Sequence, residues 1–288
     1  MFFTKMEGTG NDFIMIEAGN DNRSWSQLAV AMCDRHLGIG ADGILVAQPS
    51  QSADIKMSMF NPDGSEAEMC GNGIRCFAKY VLSKDGAAAG RDSLSVETKA
   101  GVKTVGATYD AGKLSSIRVN MGKPIFSPSK IPVVVQNSKS GARYSPPVID
   151  FPVAVGKRKL LMTFVSMGNP HAVAFIKDKV DAFPLEDVGP RIEHHEMFPR
   201  RVNFEIANVV SQKKVRARVW ERGAGATLSC GTGACAVAVA AILHGYTDTC
   251  VEIEVPGGTL EIEWNGKDEV YLKGPANFVF KGEWTERN

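Results

Sequence analysis

The sequence predicts an α+β fold of two structurally similar domains. Each is read as a curved mixed or antiparallel sheet, barrel-like, around a central apolar helix, with the active site in the cleft between them. Two observations carry this reading: an internal repeat, and a run of strand patterns without regular strand–helix alternation. The repeat is clearest where Met69-Cys70-Gly71-Asn72-Gly73-Ile74 matches Ser229-Cys230-Gly231-Thr232-Gly233-Ala234. After each cysteine, apolar residues follow at the same offsets, Ile74, Phe77, Ala78, Val81 and Leu82 against Ala234, Val237, Ala238, Ala241 and Ile242. That spacing is one buried face of a helix. Gly10-Asn11 matches Gly168-Asn169, Gly43 matches Asn203, and a helix candidate over 24–36 matches one over 184–196. The first of these helices carries Ser24 and Gln27 as a capping box and a stripe of Trp25, Leu28 and Met32. The Ala-rich helix after Cys230 has small residues on nearly every face, which predicts sheet on all its sides. Apolar runs predict strands over 13–16 and 172–176, and alternating runs over 55–60, 94–98, 117–120, 215–220, 251–255 and 260–264, with Gly257-Gly258 as a hairpin turn between the last two. A doubly wound parallel sheet needs regular alternation of strand and helix, which this order lacks. The domains are placed at 1–122 and 123–274, with the tail 275–288 packing on the first.

Composition narrows the function classes. The 288 residues suffice for two domains, and 44% hydrophobic with 23% charged residues is the balance of a soluble globular chain. A formal net charge of +1 offers no field for nucleic acid or an anionic membrane, so neither is expected as a partner. The apolar run 234–243 is too short to span a bilayer, and Met1-Phe2-Phe3-Thr4-Lys5 has no secretory pattern, so a cytoplasmic protein is expected. Gly38-Ile39-Gly40-Ala41-Asp42-Gly43 spells a dinucleotide fingerprint, but it follows a helix and precedes a strand, the reverse of the required context. His194-His195-Glu196 lacks further ligands at metal spacing, and no metal or cofactor is expected.

The six cysteines, at 33, 70, 76, 230, 235 and 250, include no C-x-x-C pair. Cys70 and Cys230 stand where helices begin. A helix N-terminus presents unpaired N–H groups and a partial positive charge, which binds carboxylates and favours a thiolate. Two such units suit proton abstraction from a carbon beside a carboxylate by one thiolate, with reprotonation on the opposite face by the other thiol. A Cys70–Cys230 disulfide would be an oxidised, inactive form.

At these residues the chain resembles diaminopimelate epimerases over nearly its whole length. The matching stretches are Lys5 to Phe13, Asn61 to Glu66 and Met69 to Gly73, then Met167 to His171, Phe198-Pro199 with Asn203, Glu221 to Gly225 and Ser229 to Gly233. The resemblance implies conversion of LL-2,6-diaminopimelate to the meso form without pyridoxal phosphate or metal, in lysine and peptidoglycan-precursor biosynthesis, by a homodimer. It implies Cys230 as the proton acceptor and Cys70 as the donor in that direction, with His171 and Glu221 tuning them. Backbone N–H groups of Gly71-Asn72 and Gly231-Thr232 would hold the reacting carboxylate. Asn11, Asn61, Asn169, Asn203, Glu221 and Arg222 fall on substrate-binding positions. Taken singly, the asparagines are equally turn formers, Arg222 a surface ion-pair partner and His171 a packed core residue. Two positions depart from the family: Gly43 where some members have Gln, and Ala226 where many have Glu. The alternatives are a racemase of another amino acid on the same scaffold, such as proline or histidine, or a non-catalytic ligand-binding or redox-sensing relative.

Overall fold

The computed structural model describes residues 1–19, 23–84, 90–135 and 145–285. The chain divides into two compact units. Unit 1 is Met1–Asn120 together with the segment from Lys273 onward; unit 2 is the contiguous Met121–Leu272.

In unit 1, β1 (Phe2–Gly8) and β2 (Asn11–Glu17) form a hairpin, and helix α1 (Trp25–Cys33) leads to β3 (Gly43–Gln48) and β4 (Ile55–Phe60). The short β5 (Glu66–Ala67) precedes helix α2 (Gly71–Leu82), and β6 (Ser93–Thr98), β7 (Gly101–Asp110) and β8 (Lys113–Gly122) follow. The sheet is mixed: β2 runs parallel to β3 and β4 to β6, while β1–β2, β3–β4 and β6–β7 are antiparallel. Strand alternation sorts its side chains onto two faces. Ile14, Ile16, Ile44 and Val46 pack with Ala29, Met32 and Cys33 of α1. Phe13 and Leu45 reach instead to Gly73 in the first turn of α2.

Unit 2 repeats this plan. Its strands are β9 (Phe151–Val155), β10 (Arg158–Ser166), β11 (Pro170–Phe175), β12 (Asn203–Ser211), β13 (Lys214–Glu221), β14 (Gly225–Thr227), β15 (Cys250–Val255) and β16 (Gly258–Glu263). Helix α3 (Leu185–Glu193) lies between β11 and β12, and α4 (Gly231–Leu243) follows β14. Two strands close the chain, β17 (Val270–Gly274) and β18 (Asn277–Glu283), the latter pairing antiparallel with β1.

The repeat extends to hydrogen-bond register. Phe13 pairs with Gly43 in the parallel β2–β3 ladder, and His171 with Asn203 in β11–β12, so the two strands are displaced by 158 and 160 positions. Ile44 pairs with Phe60 as Phe204 does with Trp220, and Phe60 with Glu66 as Trp220 does with Ala226, all at 160. A one-residue slip would turn every side chain to the other face. The shared register therefore places equivalent positions of the two units on equivalent faces.

Helix α4 is buried on nearly every side from Gly231 to Ala241 and touches β10, β11, β12, β13, β15 and β16. Alanines, the best helix formers, let strands approach it from all directions. It ends in a Schellman motif: Gly245 at φ +68° turns the chain, its N–H donates to the Ile242 carbonyl, and the Tyr246 N–H donates to that of Ala241. Helix α2 departs from the single buried face read in the sequence, because Arg75, Cys76 and Tyr80 are buried as well.

Other differences are local. Helix α1 stops at Cys33, short of the expected 36, because the Asp34 carboxylate accepts the His36 and Leu37 N–H groups and turns the chain. Helix α3 ends at Glu193 rather than 196. The last hairpin turns on Pro256-Gly257, one position before the expected pair, since Gly258 is already paired with Val255. Among described helices, none is long and apolar enough to cross a membrane.

Gly189, in the middle of α3, lies flat on the Trp220 ring; an added Cβ would sit 2.5 Å from Trp220 Cγ. Overpacking of this kind costs about 1–3 kcal/mol. Gly189→Ala is therefore expected to lower the urea midpoint of unfolding by that equivalent, and an unchanged midpoint would contradict the tight α3–Trp220 seat.

Candidate functional site

In unit 1 the candidate residues gather at the start of α2. Cys70 is its N-cap, in extended conformation (φ −133°, ψ 126°), and the Gly73 N–H donates to its Sγ at 3.4 Å. The Cys70 thiol faces Asn11 Oδ1 at 3.6 Å, and Asn72 Nδ2 donates to the same oxygen at 3.4 Å. Asn11 in turn donates through Nδ2 to Asp42 Oδ2 at 2.5 Å. The amide of Asn11 is thereby oriented from behind, with its oxygen turned toward Cys70. Asn61 stands apart, tied through its own turn to Ser65.

Beneath this group lies Arg75, fully buried. Its guanidinium donates to Gly71 O, Asn72 Oδ1, Thr9 Oγ1 and Pro275 O. It thus fixes the Thr9-Gly10 turn, in which both residues have positive φ (54° and 80°). Such turns favour Asn-Gly; a β-branched Thr9 is costly there and is held by the arginine. Asp42, from the rejected dinucleotide pattern, forms with Asp12, Lys5 and Arg35 the charged network behind Asn11. Burial would raise the Asp12 carboxyl, but hydrogen bonds from Arg35 and Lys5 bring it down to about 2.

In unit 2, Cys230 is the N-cap of α4 (φ −120°, ψ 115°), buried, with its Sγ 3.4 Å from Thr232 Oγ1. The Glu221 carboxylate accepts from the Thr227 hydroxyl, and its negative charge acts on the Cys230 thiol. His171 is fully buried, with Nδ1 2.7 Å from Glu205 Oε1 and Nε2 2.9 Å from Asn169 Oδ1. Asn203 donates through Nδ2 to Pro170 O and accepts the Arg222 N–H on Oδ1, both at 2.9 Å. Its side chain thus ties β12 to the chain on either side. The Arg222 side chain is exposed and reaches Arg200 O.

The acidified thiol expected at Cys230 is not what the structure holds. Burial, followed by the negative charge of Glu221, pushes the Cys230 thiol well above its ordinary value of 9.0, against the helix end that would lower it. Glu221 is also raised, mainly by burial. Thiol and carboxyl therefore face each other as two groups of enhanced proton affinity. All six cysteines are free thiols, and the buried Cys33 and Cys76 are pushed up to about 12 by desolvation.

Gly43 has no space for a side chain: a Cβ there would lie 2.8 Å from the Phe60 carbonyl across the β3–β4 ladder. Ala226 is exposed on β14. Two buried residues that the sequence reading passed over are Arg75 and Glu205. Their signal was a charge inside an otherwise apolar element, Arg75 among Ile74, Cys76 and Phe77, and Glu205 between Phe204 and Ile206.

Solved structures share this architecture. A phenazine biosynthesis protein of the PhzF family from Bacillus anthracis matches with a TM-score of 0.68 at 18% identity, covering 99% of both chains. A probable proline racemase from Agrobacterium radiobacter matches at 0.67 and 15%, covering 99% of this chain and 92% of the other. At those identities the likeness is one of fold: the two-unit α+β class to which both belong. Sequence carries it further. The diaminopimelate epimerase family model matches residues 3–127 and 163–279. Diaminopimelate epimerases of Desulfovibrio desulfuricans and Acetivibrio thermocellus are 49% and 48% identical over 98% of this chain, and over 97% and 98% of their own lengths. The chain belongs to the diaminopimelate epimerase family.

The Glu221 shift has a consequence for stability. Its folded value lies above the ordinary 4.5, so between 4.5 and that value the native state binds more protons than the unfolded chain. Stability is then lost as pH rises through this window. Glu221→Gln is expected to flatten the pH dependence of unfolding free energy there, measured by urea melts from pH 4 upward; curves parallel to wild type would contradict it.

Proposed function

We propose that the protein epimerises LL-2,6-diaminopimelate to the meso form without cofactor, using Cys70 and Cys230 as its two proton carriers, in lysine and peptidoglycan-precursor biosynthesis. The observation that carries this reading is the pair of cysteine N-caps, each opening a buried helix at equivalent positions of the two units. The first-turn N–H groups at Gly71-Asn72 and Gly231-Thr232 suit the carboxylate on the reacting carbon, and they stabilise the enediolate-like charge that grows there.

In the LL-to-meso direction Cys230 must first lose its proton, and Glu221, the carboxylate whose charge acts most strongly on it, is the group that takes it. The thiolate then removes the α-proton, and Cys70 delivers a proton to the opposite face. Asn11, Asn61, Asn169, Asn203, Glu221 and Arg222 are assigned to binding the amino-acid groups of the substrate, and His171 to tuning. A racemase for another amino acid is not favoured: the relatives from Desulfovibrio desulfuricans and Acetivibrio thermocellus, at 49% and 48% identity, are diaminopimelate epimerases. We assign the protein to the cytoplasm and to a homodimer; the exposed Phe2, Phe278, Val279 and Phe280 on β1 and β18 support the latter.

Cys70→Ala and Cys230→Ala are each expected to reduce epimerisation by about 10² to 10⁴-fold, the range for loss of a positioned acid or base. The assay is conversion of LL-diaminopimelate in deuterated water; full turnover by either variant would overturn the two-cysteine mechanism. Phe280→Arg is expected to lower the mass seen by sedimentation from dimer to monomer, and an unchanged dimer would remove this surface from the interface.

A further inference from the structure

The two cysteine-bearing turns share a backbone but not its backing. In unit 1 the first turn of α2 rests on Leu45 and Phe13, which lie 3.5 Å from where a Gly73 Cβ would stand. At the equivalent positions of unit 2 are Glu205 and His171, and Glu205 Oε1 lies 2.8 Å from where a Gly233 Cβ would stand. Behind the turn, the fully buried Arg75 of unit 1 is replaced by Cys235. The same frame therefore carries an apolar pair and a cation in one unit, and a carboxylate with a histidine in the other.

Glu205 is 1% exposed. One of its carboxylate oxygens meets His171 Nδ1, and the other, Oε2, is buried with no hydrogen-bond partner among the described residues. A buried carboxylate oxygen without a donor is costly, and its retention asks for a reason. Its place gives one. Gly233 packs directly against Cys230, 3.2 Å from its Cβ and 3.4 Å from its Sγ by the same measure. A carboxylate set against this turn opposes the positive helix end that would otherwise favour a thiolate.

We propose that Glu205 is a positioning residue that keeps Cys230 in its thiol form, so that the two cysteines of the free enzyme are inequivalent by construction. This rests on the assignment of Cys230 as one of the two proton carriers. The groups acting on Cys230 are Glu221 from β13, Glu205 from β12 and the Thr232 hydroxyl of α4, and His171 of β11 is paired with Glu205 behind them. Both carboxylates act in the same direction, upward, on its proton affinity. A two-carrier epimerase needs one thiol and one thiolate before each turnover, and two identical turns would leave that choice to chance. Glu205 biases it toward a Cys230 thiol at rest, so in the LL-to-meso direction Cys230 becomes the abstracting thiolate only after passing its proton to Glu221, whose charge also acts on it.

The test is the pH dependence of iodoacetamide alkylation at each cysteine, resolved by peptide mass spectrometry, for wild type and Glu205→Gln. The expected result is a fall in the Cys230 midpoint by about one pH unit or more with the Cys70 midpoint unmoved, one unit being a tenfold change in thiolate fraction. An unmoved Cys230 midpoint in folded Glu205→Gln overturns the proposal, as does an equal shift at both cysteines. A second measurement needs no change at Glu205: in Cys70→Ala, Cys230 alkylation is expected to stay suppressed through pH 9, and a midpoint below pH 7 would equally overturn it. Deuterium exchange into diaminopimelate by the wild-type enzyme reports separately on the underlying reading. Loss of that activity would sink the epimerase assignment, whereas active enzyme with an unmoved midpoint would sink only the role of Glu205.

Discussion

The N–H groups of a helix's first turn have no partners within the helix, and a helix enclosed by sheet cannot offer them all to water. Both units meet this constraint in the same place. At α2 and α4 the N-cap is a cysteine, followed by glycines that leave the backbone bare. Ser24 caps the peripheral α1 through its hydroxyl, and α3 begins at Pro184 with no side-chain cap. The two sealed helices thus open on sulfur, a weak acceptor that leaves much of the hydrogen-bonding capacity of the turn for an anion. The pairing of the sheet fits this arrangement: Phe13 and Leu45, from two parallel neighbours, lie beneath the turn of α2, and Glu205, the equivalent of Leu45, beneath that of α4.

From that shared frame the chemistry diverges by substitution alone. Unit 1 puts a guanidinium behind the turn and orients an asparagine oxygen toward its cysteine through a carboxylate network. Unit 2 sets two carboxylates about its cysteine, one of them paired with a histidine. Low dielectric magnifies such differences, so a few side chains suffice to give two equivalent backbones different proton affinities.

Much of the fold could be read in the sequence because its strongest pattern was repeated. The offsets after Cys70 and Cys230, and the shifts of 158 and 160, correspond to hydrogen-bond register rather than to loose similarity. The strands β1, β5, β7, β9, β10, β12, β14, β17 and β18 were not read as strands: β5 and β14 are two and three residues long, β7 and β18 are largely exposed, and β12 opens on five consecutive buried residues, so no clean two-residue alternation marks these. The positions of the site residues were legible as motif; their electrostatics were not. The helix-end rule pointed to a lowered thiol at Cys230, but the opposing groups, Glu221 and Glu205, come from neighbouring strands whose register the sequence does not display. Glu205 and Arg75 were visible only as charges within apolar runs, which by themselves do not say what they face.

The discontinuity of unit 1 bears on how the protein emerges from the ribosome. Its first strand finds its β18 neighbour some 270 positions later, Glu7 opposite Asn277, and the Arg75 guanidinium waits for the carbonyl of Pro275. Unit 2 is unbroken in sequence. Vectorial synthesis therefore lets the later-made half close on itself while the earlier-made half still carries an unfinished strand edge until β18 is made.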